Sequence, residues 1–123
     1  MDVTTKPSRV NCRGVSEILS RVGDKWTIQV VVALRAGSLR FNEVKRLVDG
    51  VSQQMLTRTL KALERDGMVG RTVRHNTPPQ VDYALTPLGR SLSETVRPLA
   101  DWAVAHRSTI DDNRLFYDTR RVQ

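Results

Sequence analysis

The spacing of apolar residues divides the first half of the chain into three predicted helices. Between residues 12 and 22 the apolar positions are spaced i, i+3, i+4 and i+7, which is typical of one helix face. A second helix is predicted over residues 25–36, because Asp24 can cap its start and a glycine can end it. A third, short helix over residues 41–48 is stopped by an Asp-Gly pair.

A fourth helix is predicted from Ser52, which can cap its start, to Asp66-Gly67, where a glycine can take the left-handed conformation that ends a helix. At 100° per residue its apolar side chains fall on one face of the helix. They are Met55, Leu56, Leu60, Ala62 and Leu63. The polar side chains on the opposite arc are Gln54, Thr57, Arg58, Lys61 and Arg65. That set has long hydrogen-bonding reach and no carboxylate, which suits a DNA major groove, although an ordinary solvated face has the same pattern.

After Gly67 the period of the pattern changes to that of strands. Residues 68–73 and 81–85 are predicted to pair as a β-hairpin, with Arg74 and His75 at its tip. A short helix, a glycine turn, a capped helix and a hairpin are the parts of a winged helix-turn-helix. The expected fold class is therefore mainly α with a small β-hairpin (α+β).

The last predicted helix begins at Thr86-Pro87 and contains Pro98, which should kink it. Its apolar stripe is longer than the rest of the chain can cover, which favours a two-fold dimer built from the first and last helices. The candidate dimer residues are Val15, Leu19, Leu92, Val96, Leu99 and Trp102. The alternative is that the helix packs only on its own domain. The domain is expected over residues 12–107, between a mobile tail at 1–11 and a C-terminal tail at 108–123.

The charge balance is basic, with 20 Lys and Arg against 13 Asp and Glu, a net charge of +7. Such a surplus favours a polyanionic partner, such as nucleic acid or an anionic membrane surface. We expect a cytoplasmic protein, since no secretory signal is visible and no apolar run approaches the ~20 residues that span a bilayer. Cys12, His75 and His106 lack metal-ligand spacing, and no catalytic motif is found, so we expect no metal, cofactor or enzymatic activity.

Five motifs in order carry a family resemblance. They are G-D-K-W, R-F-N-E-V, V-S-Q-Q-M-L, D-G-M-V and P-P-Q-V-D-Y-A-L-T-P-L-G. Together they resemble the HxlR-type winged-helix transcription regulators over roughly residues 12–102. The resemblance implies a homodimer that binds palindromic operator DNA and represses or activates nearby genes. It places the recognition helix at Ser52, Gln53, Gln54, Thr57, Arg58 and Lys61, and the wing contacts at Arg74 and His75.

Among these residues, Arg58 and Lys61 are the strongest candidates for direct contacts, because Arg can bind guanine O6 and N7 through two hydrogen bonds. Gln54 could read adenine. Ser52 and Gln53 lie at the predicted helix N-terminus, which favours a phosphate.

Cys12 matches a family position that some members use to sense oxidants or electrophiles. Arg13 beside it and the start of the first helix should lower the pKa of its thiol. The family usually has proline where this chain has Arg13, and the absence of a second cysteine excludes a disulfide between different positions. An inert Cys12 is the alternative. Two other functions stay open: a regulator that binds an aromatic or other small effector in the dimer cleft, and a protein-interaction module without DNA specificity.

Overall fold

The computed structural model describes residues 9–122, and the side chains of residues 14–120. Five helices and three strands follow each other along the chain. They are α1 (Arg9–Gly23), α2 (Lys25–Ala33), β1 (Leu39–Arg40), α3 (Phe41–Leu47), α4 (Gln53–Arg65), β2 (Val69–Arg74), β3 (Gln80–Leu85) and α5 (Pro87–Val122). The predicted fold class, a mainly helical winged helix-turn-helix, is confirmed.

Three boundaries differ from the sequence predictions. α1 begins at Arg9, inside the segment expected to be a mobile tail. The second helix ends at Ala33 and continues only as a 3-10 turn over Leu34–Ala36. α5 runs on through the expected C-terminal tail to Val122, because no glycine or proline follows Pro98 to stop it.

The three strands form one antiparallel sheet in the order β1-β3-β2. The hairpin pairs Val69 with Leu85 at its base and Arg74 with Gln80 near its tip. The two-residue strand β1, which the sequence pattern did not reveal, pairs Leu39 with Tyr83 on the other side of β3. The hairpin is therefore joined to the segment that leads directly into α3.

The core lies between α2, α3, α4 and the base of the hairpin. Its largest fully buried apolar side chains are Val30, Val31, Leu34, Val44, Val48, Leu56, Leu60, Leu63 and Val69. α4 supplies three of these leucines from one side, as its apolar arc predicted. Burial of each contributes about 1.5–3 kcal/mol, so the orientation of α4 about its own axis is strongly determined.

The end of α4 sets the direction in which the hairpin leaves. Gly67 has a φ of 80°, and its N–H donates to the Glu64 carbonyl at 3.1 Å. The N–H of Met68 donates to the Leu63 carbonyl at 2.9 Å, which completes a Schellman motif. The Met68 carbonyl in turn accepts a hydrogen bond from the N–H of Thr86, at 3.0 Å. The two ends of the hairpin are thereby fixed to the end of α4.

The described residues form two compact units, one ending at Ser93 and one beginning at Glu94. The second unit consists of the remaining length of α5. Its exposed ion pairs include Arg107 with Asp111 and Arg114 with Asp111. Within the described residues, none of the helices combines the length and the apolar character needed to cross a membrane.

Gly89→Ala should destabilise the protein by about 1–3 kcal/mol, the usual cost of overpacking. A Cβ at Gly89 would overlap the carbonyl oxygen of Met68, which the hydrogen bond from Thr86 holds in place. Chemical denaturation measures this change. Gly14→Ala is the matched control, because a Cβ there meets nothing within 4 Å and the added alanine should favour α1. Equal stabilities of the two variants would contradict the packing described for Gly89.

Candidate DNA-binding interface

The turn between α3 and α4 fixes where the candidate recognition helix starts. Gly50 has a φ of 83°, a conformation that residues with a Cβ rarely adopt. Ser52 then caps α4, its Oγ accepting a hydrogen bond from the N–H of Met55 at 3.1 Å. The sequence prediction that Ser52 is the N-cap is confirmed. The remaining free N–H groups of the first turn point out of this end of the helix.

The predicted contact residues of α4 lie on its accessible side. Ser52, Gln53, Gln54, Arg58 and Lys61 are exposed, and Thr57 is half-buried. The buried leucines occupy the other side of the helix. The structure therefore brings these six predicted residues together on one surface of one rigid element.

A groove separates α4 from the hairpin, and we call it the wing-side groove. Its volume is about 590 Å³. It is lined by Phe41 of α3, by Gln53, Thr57, Leu60, Lys61 and Glu64 of α4, by Arg71 of β2, and by Val81 and Tyr83 of β3. Its walls thus combine half-buried rings with exposed charged side chains. Phe41 and Tyr83 supply the two rings.

The hairpin carries its arginines on opposite faces. The register pairs Arg71 with Tyr83 and Thr72 with Asp82, so these two pairs face opposite sides of the sheet. Arg71 faces the wing-side groove. Arg74 shares the other face with Asp82 and forms an ion pair with it. His75 is exposed in the loop that follows. The structure thus separates the predicted wing residue Arg74 from the α4 surface.

Two groove residues were missed by the sequence reasoning. Arg71 was read only as part of a strand, although strand alternation puts it on the same face as Tyr83. Glu64 lies outside the polar arc assigned from Ser52, yet it is exposed and lines the groove. The accessible side of α4 therefore does carry one carboxylate, at the edge nearest the hairpin.

A second groove lies between α3 and the tip of the hairpin. Its volume is about 510 Å³, and its charged lining includes Arg40, Glu43 and Arg46. The backbone N–H of Arg40 donates to Glu43 Oε1 at 2.8 Å, and the Arg40 side chain is exposed.

The candidate dimer residues differ in accessibility. In the first unit Val15 and Leu19 are more than half exposed, whereas Leu92 is half-buried. In the second unit Leu99 and Trp102 are 53% exposed, whereas Val96 is buried. Cys12 falls within α1, but its side chain lies outside the described residues.

Together, the short helix α3, the glycine turn, the capped helix α4 and the hairpin behind it define a winged helix-turn-helix. Proteins of this class use the second helix to bind DNA. The chain belongs to the HxlR-like helix-turn-helix family, whose model matches residues 21–111. Its relatives are transcriptional regulators and not enzymes.

The relatives support the same class. The HTH-type transcriptional regulator YtfH of Escherichia coli K12, itself uncharacterized, is 46% identical over 86 residues, which are 70% of this chain and 68% of that protein. The solved structure of the regulator YtfH of Salmonella typhimurium has a TM-score of 0.76 at 40% identity, covering 81% of this chain and 89% of that one. The redox regulator HypR in its reduced form has a TM-score of 0.73 at 36% identity, covering 80% and 98%.

Ser52→Ala should lower the free energy of unfolding by about 1 kcal/mol, the usual effect of removing a serine N-cap. Its Oγ satisfies a backbone N–H that has no other partner in the helix. Ser52→Asp restores an equivalent cap and should keep wild-type stability. Urea denaturation compares the three proteins, and an unchanged stability of Ser52→Ala would show that the hydroxyl does not act as a cap.

Proposed function

We propose that the protein is a homodimeric repressor that binds an inverted-repeat operator through α4. The observation that carries the proposal is the exposed polar side of α4, opposite its buried leucines. The net charge of +7 supplies the long-range attraction to DNA. Membership of a family of transcriptional regulators supports the same role.

Individual roles follow from side-chain chemistry and position on α4. Arg58, exposed on the outer side, would bind guanine O6 and N7, and Gln54 would bind adenine N6 and N7. Lys61 would bind guanine or a phosphate. Ser52 and Gln53, at the N-terminus of the helix, would hold a phosphate that fixes the register.

A homodimer would give the operator its two-fold symmetry. Support comes from apolar side chains exposed on α1, including Val15 and Leu19, and on the second unit, including Leu99 and Trp102. A second copy of the chain would remove these side chains from water. Val96 is already buried in the monomer and therefore contributes less to such a surface.

Redox regulation is a second candidate function, favoured by the likeness to the redox regulator HypR. Cys12 is the only cysteine of the chain. Oxidation would therefore join the Cys12 thiols of two subunits, or join Cys12 to a small thiol, with the loss of two thiol protons and two electrons to the oxidant. Electrophiles such as quinones would add directly to the thiolate.

Selection of bound DNA from a random pool tests the proposed function. The expected result is an enriched inverted repeat whose half-sites are centred about 10 base pairs, or 34 Å, apart, as two recognition helices of a dimer require. An enriched single half-site would contradict the dimer. A pool without any enriched sequence would contradict operator binding and favour the interaction module.

Arg58→Ala should weaken binding to the selected operator by about 1–3 kcal/mol and relax the preference at one base pair of each half-site. The physical reason is the loss of two hydrogen bonds to one guanine edge. Fluorescence anisotropy on operators substituted at each position measures both effects. Arg114→Ala is the charge-matched control, because Arg114 lies in the second unit and pairs with Asp111. An equal loss on all sequences would make Arg58 a phosphate contact instead.

Cys12→Ser should leave the affinity for the operator unchanged and remove its response to diamide and to quinones. Any such response requires a thiol, and the variant has none. Gel shifts with and without each reagent make the comparison, with reductant added afterwards to reverse the diamide effect on the wild type. Retention of the full response by the variant would exclude Cys12 as the sensor.

A further inference from the structure

The wing-side groove contains three charged side chains that are available to a ligand. They are Lys61 and Glu64 of α4 and Arg71 of β2. All three are exposed, and among the described residues none of them forms an ion pair. Two cations and one carboxylate give this groove a net charge of +1. By contrast, Arg74 on the opposite face of the hairpin is ion-paired with Asp82.

The position of the groove indicates what it would hold. It lies between α4, which the proposed function places in a major groove, and the hairpin, which would lie over the neighbouring minor groove. The part of a duplex between its two grooves is a sugar–phosphate strand. Lys61 on one wall and Arg71 on the other would meet the phosphates of that strand from two directions.

The carboxylate of Glu64 is not expected in a groove that only binds phosphates. It is the only carboxylate among the residues that line the groove. A phosphate brought close to a carboxylate is repelled, and such repulsion suppresses wrong arrangements of two partners. The repulsion is avoided when the phosphates lie against Lys61 and Arg71 and away from the Glu64 carboxylate.

We infer that the wing-side groove holds one sugar–phosphate strand between Lys61 and Arg71, and that Glu64 is a specificity-determining residue that penalises any other placement of that strand. The inference rests on the proposed function for the location of the duplex. It assigns to Arg71, and not to Arg74, the main phosphate contact of the hairpin.

Two variants test the two parts of the inference. Arg71→Ala should weaken binding to the operator and to random duplex alike, and should reduce the log–log salt slope by about 0.9, the value for one phosphate contact. Arg71→Lys should restore most of that slope, because it keeps the charge. Glu64→Gln should tighten binding to random duplex by about fivefold and leave operator binding within about twofold, so that the specificity ratio falls.

Both measurements use the full chain and fluorescence anisotropy at several salt concentrations. Arg114→Ala and Glu94→Gln are the matched controls for charge, since both residues are exposed and lie in the second unit. Thermal melts of every variant show whether folding is retained. If Arg71→Ala is unstable, Arg71→Gln takes its place: it removes the charge but keeps most of the side chain, and it should lower the slope by the same amount.

The outcomes separate this inference from the proposed function. If the wild-type protein binds all duplexes equally, the proposal of operator binding is contradicted. A lower salt slope of Arg71→Ala on random duplex would still support the strand contact. If the wild-type protein selects an operator but Arg71→Ala has an unchanged salt slope, only the strand contact is overturned. An unchanged specificity ratio in Glu64→Gln overturns the role of Glu64, and a loss confined to stability would make Glu64 a structural residue.

Discussion

Burial of Leu56, Leu60 and Leu63 determines which side of α4 meets solvent. These leucines pack into the core with α2 and α3, and turning the helix about its axis would expose them at a cost of several kcal/mol. The polar residues between them are therefore held outward without needing contacts of their own. Because the backbone of α4 is rigid, Gln54 and Arg58 keep a fixed spacing that a DNA groove can match.

The same helix also places the hairpin. Its C-terminal end closes on Gly67, and hydrogen bonds from Thr86 to the backbone of this end tie the return strand to it. β1 holds the far side of the sheet beside the start of α3. The wing-side groove is consequently a property of the folded domain, and Glu64 and Arg71 both line it although they belong to different elements.

Local features such as helix caps could be predicted from the sequence better than the residues that different elements bring together. Ser52 and Gly67 act through neighbours in the chain, so their capping roles were visible from spacing alone. The strand β1 was missed because two residues are too few to show the alternation of a strand. It is defined only by its pairing with β3. Arg71 and Glu64 were missed for a related reason: the register of the hairpin and its approach to α4 decide that they share a groove. The length of α5 was underestimated because exposed polar residues form a helix as readily as a tail.

Site-directed cleavage tests most directly whether the outer side of α4 lies in the DNA groove. An iron chelate would be attached to a cysteine introduced as Gln54→Cys in a Cys12→Ser background, with Arg90→Cys as the control on α5. We expect two clusters of hydroxyl-radical cuts in the selected operator, one in each half-site and about 10 base pairs apart. Cuts from position 90 without cuts from position 54 would contradict this expectation.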